Sequence, residues 1–454
     1  MKGPSNAQPL DLLTSTERTI LAQFLRRSSP MIGMETGTST DINPNLNAAY
    51  TRLPMDQEEI GKAFSEMWSQ LSLIGGDPTG GYHRFAFSAA DTHLRSWFRS
   101  EAERRGLTFE VDCNTNMWAW TDPAAVRVVG TGSHLDSVPG GGAFDGPLGV
   151  VSAFLALDLL GQRMEGLPPV AVVAFTEEEG GRFGVACLGS KLATGDLSPE
   201  TARSLRDGEG VELARAAAQA GFDPSSFRPD PERLDRLGCF IELHCEQGRA
   251  LRQPVGLASA VWPHGRWRYT FNGEANHAGT TRLADRRDPM LAAAALMTSA
   301  RIGAQTAGAV ATVGRIAAHP NATNGIADRV DVWLDARAPD EAGLDALVDS
   351  VDRVVYAACR EHEVDLRQTR ESYLSEVRFD AALNRRLQGV LGEATPVIPT
   401  AAGHDAAVLA GHLPATMLFV RNPTGASHTP HEHVDIDDCI AGVEALAEAI
   451  EALA

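Results

Sequence analysis

Four short apolar runs punctuate the chain: Val126 to Val129, Val170 to Phe175, Phe240 to Leu243 and Thr416 to Val420. Each is apolar almost throughout and short, the pattern of a strand covered on both faces of a parallel sheet. Helical periodicity lies between them, over Gly149 to Leu160 and Val211 to Ala220. An earlier helix sets Ile60, Phe64, Met67, Trp68, Leu71 and Ile74 on one face and stops at Gly75, Gly76, Asp77 and Pro78. This order predicts an α/β fold: a mixed, mostly parallel sheet with helices on both faces. Ligands in such sheets collect beyond the carboxyl ends of the strands.

Between residues 259 and 369 the texture changes. Trp267 to Phe271 alternates as a strand, and an Ala-rich helix starts at Asp288. Val310 to Ile316 and Val330 to Leu334 read as strands, followed by a helix from Asp340 to Cys359. Strand, helix, strands, helix is a small α+β insert. The larger domain is then discontinuous, residues 54–258 plus 370–454, and residues 1–53 form an arm. That arm is rich in Ser, Thr, Asn, Gly and Pro from residue 28 onward. Glu17 to Arg27 has the amphipathic outline of a transit peptide, but the acidic residues around it disfavour that reading. No apolar run approaches the ~20 residues of a membrane span, and the cytoplasm is the expected compartment.

Composition narrows the partners. Lys and Arg number 40 against 59 Asp and Glu, a net charge of −19. Nucleic acid and anionic membranes both need clustered cations, so neither is expected as a partner. A small anionic substrate held by one or two arginines remains compatible. Six cysteines (Cys113, Cys187, Cys239, Cys245, Cys359 and Cys439) occur without a CxxC pair, which excludes a disulfide scaffold and a zinc knuckle.

The chemistry-bearing residues follow the four apolar runs. His134-Leu135-Asp136 comes after the first, with Asp145 eleven positions beyond His134. If Asp136 extends the strand, it projects on the same side as His134 and orients the imidazole. Gly140-Gly141-Gly142 lacks a phosphate-loop pattern and instead lets the chain turn, bringing Asp145 back beside His134. Glu177-Glu178-Glu179 follows the second run. A solvated charge run is the ordinary reading of three adjacent carboxylates, but at a buried strand end a cation would relieve their repulsion. His244 closes the third run beside Cys245, which reads as core packing, and His428 lies in Gly425 to Glu432 after the fourth.

The segments GSHLDSVPGGGAFDGPLGV, EEEGGRFG, ELHCEQG, NHAGTT and GASHTPHE together resemble the di-zinc aminoacylase/carboxypeptidase-G-like hydrolases. Within them the resemblance is to the amidase, hydantoinase and carbamoylase branch, and Gly265 to Leu283 is most similar to allantoate amidohydrolases. The resemblance implies two divalent metal ions per subunit, zinc or manganese with cobalt or nickel as substitutes. One would be held by His134, Asp145 and His244, the other by Asp145, Glu179 and His428. It implies Glu178 as general base, Asp136 beside the metal ligands, and His277 as the oxyanion donor reaching a partner subunit's site. A one-residue slip would make Glu177 the base and Glu178 the ligand. Gln247, Asn324 and Arg337 would anchor the substrate, with backbone groups of Gly425 and Ala426 beside them.

The same resemblance implies a ferredoxin-like insert acting as dimerisation and lid domain, hence a homodimer. It implies hydrolysis of a ureido C–N bond in a small anionic substrate, first allantoate, releasing ammonia and carbon dioxide. An N-carbamoyl-L-amino acid, or a β-ureidopropionate-like substrate, is the alternative, and a catalytically silent binding protein a remote one. Two segments depart from the pattern: Arg282-Leu283 replaces Pro-Met, and Asn324-Gly325-Ile326-Ala327-Asp328 lacks a proline.

Overall fold

All four apolar runs become neighbours in one sheet. The computed structural model describes residues 57–78, 80–161 and 166–453, so the expected arm, with its Glu17 to Arg27 stretch, lies outside them. Strands β1 (Thr108–Val111), β2 (Met117–Trp120), β3 (Val128–His134), β4 (Val170–Phe175), β5 (Leu237–Cys245) and β6 (Val255–Val261) come first. β7 (His264–Asn272), β8 (Asn276–His277), β9 (Val310–His319), β10 (Gly325–Ile326), β11 (Arg329–Arg337) and β12 (Asp365–Leu374) follow. β13 (Val377–Arg378), β14 (Val397–Thr400) and β15 (Ala415–Val420) complete the set.

The larger sheet has the order β1-β2-β4-β3-β5-β15-β6-β13, with β14 also on β6. Its centre, β4-β3-β5-β15, is parallel, and the antiparallel pairs lie toward the two flanks. Four parallel strands aim their carboxyl ends at one edge, which is where the polar clusters gather. The expected strand at Val126 begins instead at Val128. Val126 is 68% exposed, and Arg127 takes a left-handed backbone (φ 58°) that extended chain does not tolerate.

Alternation along the strands splits the core. Phe240, Met417, Phe419 and Val173 pack on one face with Leu234, Ala406 and Leu409. On the other face, Gly149 of the Pro147–Leu160 helix lies close against Leu243, and Gly442 of the Ile436–Glu451 helix against Val420 and Leu243. The helix Gln57–Ser72 buries Ile60, Phe64, Met67 and Leu71 as its periodicity predicts. Truncating a buried Phe such as Phe64 costs about 3–5 kcal/mol. Trp68 of this helix stacks on Phe144 at 4.6 Å, which pins the loop carrying Asp145.

The insert forms a four-stranded antiparallel sheet, β12-β7-β11-β9, with helices Pro289–Ala307 and Glu341–Glu361. Both helices start where Asp288 and Asp340 accept hydrogen bonds from their first turns. Tyr269, Phe271, Val330, Val332 and Leu334 pack against Leu296, Leu344, Leu347 and Val351. The fourth strand, β12, is absent from the sequence reading. The expected limits at 259 and 369 fall inside β6 and β12, whereas strand pairing changes sheet between Val261 and His264 and between Leu374 and Val377. A small two-stranded ladder, β8 with β10, pairs His277 with Gly325.

Candidate active site and metal centre

The carboxyl ends of β3, β4 and β5 and the loop after β15 converge on one carboxylate, Asp145. Its Oδ1 lies 3.5 Å from His134 Nε2 and 3.1 Å from His244 Nε2, and its Oδ2 lies 3.3 Å from His428 Nε2. His428 Nε2 is also 3.2 Å from Glu179 Oε2. The donor atoms fall into two triads that share Asp145: His134 with His244, and Glu179 with His428. A third buried grouping, Glu242, His244 and His404, lies behind the first.

Backbone geometry brings these side chains in. Gly146 has φ 86° and lies against the His134 ring, where any Cβ would come within 2.4 Å of it. Gly142 is similarly crowded by Glu432. The Glu432 carboxylate accepts hydrogen bonds from the Phe144 and Asp145 amides at 2.8 and 3.0 Å, and so holds the Asp145 loop from the far end of the chain. Among the glutamates, Glu177 turns away: its carboxylate accepts from the Arg182 and Phe183 amides at 2.8 and 2.7 Å. Glu178 Oε2 lies 3.6 Å from His134 Nε2, so Glu178 and Glu179 are the pair that faces the imidazoles.

Asp136 does not extend β3, which ends at His134. Its backbone carbonyl, rather than its carboxylate, is the nearer partner of His134 Nδ1, at 3.1 against 3.5 Å. The Asp136 carboxylate accepts from the Glu178 and Glu179 amides, both at 3.1 Å, and orients the glutamate run. With Nδ1 directed at carbonyls in both rings (Asp136 for His134, Cys245 for His244), each Nε2 is left for the cluster.

Those Nε2 atoms are buried and have no hydrogen-bond partner among the described residues, and Glu179 Oε1 shares that condition. Ligand atoms ~2.1 Å from a common tetrahedral centre lie roughly 3.4 Å apart, which the His134–Asp145–His244 separations match. Three imidazoles and two carboxylates, one of them shared, are the donor set of a borderline divalent cation. The residues fit a metal centre.

The charges are strained accordingly. Burial opposes ionisation of Asp145, yet the imidazoles of His134, His244 and His428 hold its carboxyl well below the usual range. Asp145 and Glu179 push His428 up to about 10. Burial, reinforced by Asp405, Glu179 and Glu242, lifts Glu178 well above the ordinary carboxyl value, with His134 opposing. Burial and Asp136 raise Glu177 to about 7.

A cavity of about 550 Å³ opens beside this cluster, lined by Gln247, His428, Ser427 and Arg337 among others. Gln247 Nε2 donates to Asp145 Oδ2 at 2.7 Å. Arg337, at the end of β11, donates to Asp335 and to the Ala401 carbonyl, which keeps its guanidinium at the cavity wall. Gly425 and Ala426 do not line it. Asn422 binds their backbone from behind, accepting from Gly425 N and donating to Ala426 O. His277 and Asn324 are also absent from the lining: both are exposed and sit together at β8 and β10.

Glu432, Glu242 and His404 escaped the sequence reading. Glu242 accepts from Ser133 Oγ and the Ala406 amide, and the His404 ring meets that of His244 edge-on at 4.5 Å. Two signals were available. Glu242 shares a strand face with His244, and Glu432 lies four residues after His428 in a quoted motif.

Residues 130–452 match Peptidase family M20/M25/M40. The chain is 34% identical over 409 residues to an N-carbamoyl-L-amino acid amidohydrolase of Geobacillus stearothermophilus, covering 87% of this chain and 98% of that one. It is 32% identical over 402 residues to the allantoate amidohydrolase of Escherichia coli, covering 85% and 96%. A solved amidase of the hydantoinase/carbamoylase family from Burkholderia multivorans superposes with a TM-score of 0.75 at 29% identity, covering 86% of this chain and 97% of that one. With paired His/carboxylate triads at the sheet edge and relatives of this kind along most of its length, the chain is an amidohydrolase belonging to peptidase family M20/M25/M40.

Proposed function

We propose that this protein hydrolyses the ureido C–N bond of a small carbamoylamino acid, with allantoate as the first substrate to test. The observation that carries the proposal is Asp145 shared between two donor triads, with Glu178 beside them and Arg337 on the adjoining cavity wall. His134, Asp145 and His244 would hold one divalent cation, and Asp145, Glu179 and His428 a second. When bound, such a pair polarises a carbonyl and makes water acidic near neutral pH.

The residues of the chain do the rest. Glu178 accepts the proton of the attacking water through Oε2 and returns it to the departing nitrogen. Burial and the surrounding carboxylates raise its pKa, the direction that strengthens a base. Asp136 holds the Glu178 and Glu179 amides and so keeps the pair in register. Arg337 offers a planar fork to the substrate carboxylate, and Gln247 orients the polar end of the substrate next to Asp145.

The oxyanion donor comes from a second copy. β11 separates the Asn324 end of the insert from Arg337, and nine extended residues span roughly 26 Å. This separation supports a reading in which His277 and Asn324 serve a partner's cavity rather than the one that their own chain's Arg337 lines. The outer edge of β9 is unpaired among the described residues and exposes Val310 and Ile316, with Ile302 exposed on the neighbouring helix. A homodimer joined along this face would bring the partner's His277 and Asn324 across.

A second substrate class, the N-carbamoyl-L-amino acids, is favoured by the apolar part of the cavity wall, Val310, Ile398, Pro399 and Ala402. Protein loaded with Mn²⁺, Zn²⁺ or Co²⁺ is expected to release ammonia faster from allantoate than from N-carbamoyl-L-leucine. The reverse order assigns the second class, and no release from either contradicts the reading.

A further inference from the structure

The two oxygens of Glu178 keep different company. Oε2 faces His134 at 3.6 Å, whereas Oε1 accepts a hydrogen bond from the Cys187 thiol, S···O 3.3 Å. Both side chains are buried. Among the described residues no other side chain donates a hydrogen bond to this carboxylate.

We propose that Cys187 is a positioning residue for Glu178: its S–H fixes the rotation of the carboxylate so that Oε2 stays turned toward His134 and the reacting water. The inference rests on Glu178 serving as the base. The last torsion of a glutamate is a broad, roughly two-fold rotor. A single donor on one oxygen is what selects one orientation of it. The thiol is suited to this because burial and the nearby carboxylates keep it protonated.

The main chain is built around the contact. The Cys187 amide donates to the Glu178 carbonyl at 2.6 Å, closing the loop between them. The next two amides, of Leu188 and Gly189, donate to the carbonyls of Glu177 and Thr176 at 3.1 and 2.9 Å. The start of the Leu188–Thr194 helix thus places three N–H groups on the carbonyls of Thr176, Glu177 and Glu178. Cys187 has φ 54°, the left-handed conformation that glycine adopts without strain and a side-chain-bearing residue does not. The chain holds a side chain at a backbone position suited to glycine, and that side chain ends on Glu178.

This gives a clean set of variants. Cys187→Gly removes the donor and relieves the backbone, Cys187→Ala removes the donor alone, and Cys187→Ser keeps a donor. With the metal-loaded enzyme and its best ureido substrate, the Ala and Gly variants are expected to lose roughly tenfold or more in kcat. KM, metal content and Tm should stay close to wild type, and the Ser variant should recover most of the rate. Wild-type kcat in the Ala and Gly variants overturns the proposal. So does a loss in all three that tracks a fall in Tm or metal content.

The S–H stretching band reads the contact without turnover. The difference spectrum between wild type and Cys187→Ser should show a hydrogen-bonded thiol whose band moves to the free position in Glu178→Ala. A band already at the free position in wild type overturns the proposal even if the protein hydrolyses no ureido acid. That last outcome for activity would count against the functional reading alone.

Discussion

His244 Nε2 lies 3.1 Å from Asp145 Oδ1, the shortest approach between an imidazole and the shared carboxylate, and that nitrogen is buried without a hydrogen-bond partner among the described residues. Its other nitrogen is committed to the Cys245 carbonyl at 2.8 Å. A buried imidazole in this state is presented as a ligand, and replacing it isolates one triad. His244→Ala is expected to weaken one cation by at least about a hundredfold, since even partners outside the ligand shell are worth 10–100-fold. Metal titration followed by quantification checks this, and unchanged affinity at both positions would refute the assignment.

Glu178 faces the cluster without completing either triad. Glu178→Gln should therefore keep its metals while kcat falls by about 10²–10⁴, the usual worth of a general base. Full activity in a metal-replete Gln variant would move the base elsewhere. Glu177→Gln, by contrast, loosens only the turn made by the Arg182 and Phe183 amides and should act on stability more than on rate.

Arg337 and His277 are predicted to serve the same active site from different chains. Arg337→Ala and His277→Ala should each be nearly inactive. Mixing and reassembling them in equal amounts should restore roughly a quarter of wild-type activity, because half of the dimers carry one intact site. No recovery in exchanged mixtures, shown to contain heterodimers, would place both residues in the same chain's site.

Away from the site, Arg105 is enclosed by Glu101 and Asp158, at 2.6 Å from each, with its side chain 1% exposed. Asp158→Ala leaves a buried guanidinium half paired and should cost about 3–5 kcal/mol in urea unfolding. Burial alone would raise the Glu101 carboxyl, but Arg104 and Arg105 outweigh it and hold its pKa below the ordinary value. The folded pKa is thus the lower one. Its contribution is complete above the ordinary carboxyl range and is lost as pH falls through the folded pKa. Stability that stays flat below pH ~4 in wild type would contradict this pairing.

The parallel centre of the sheet was legible because strands buried on both faces leave a run with no competing reading, as Val170 to Phe175 shows. Strand β12 was not. Its residues Asp365 to Leu374 are mostly polar, and much of the strand is exposed, so the hydrophobic pattern is too faint to separate it from loop. The ligand candidates were readable because each follows a strand and the family resemblance orders them. What their neighbours do was not readable. Asp136 left the strand period as soon as β3 ended, and Glu177 was turned aside by a left-handed backbone (φ 55°) that no spacing rule encodes. His404 and Glu432 reach the cluster from distant segments by tertiary contact alone.

The shared role of Asp145 is most directly tested by counting metals. Equilibrium dialysis against Mn²⁺ or Zn²⁺, followed by elemental quantification, should find two ions per wild-type subunit. Asp145→Ala should lose both together, since both triads use that one carboxylate. An Asp145→Ala protein that stays folded and retains one tightly held ion would contradict the account.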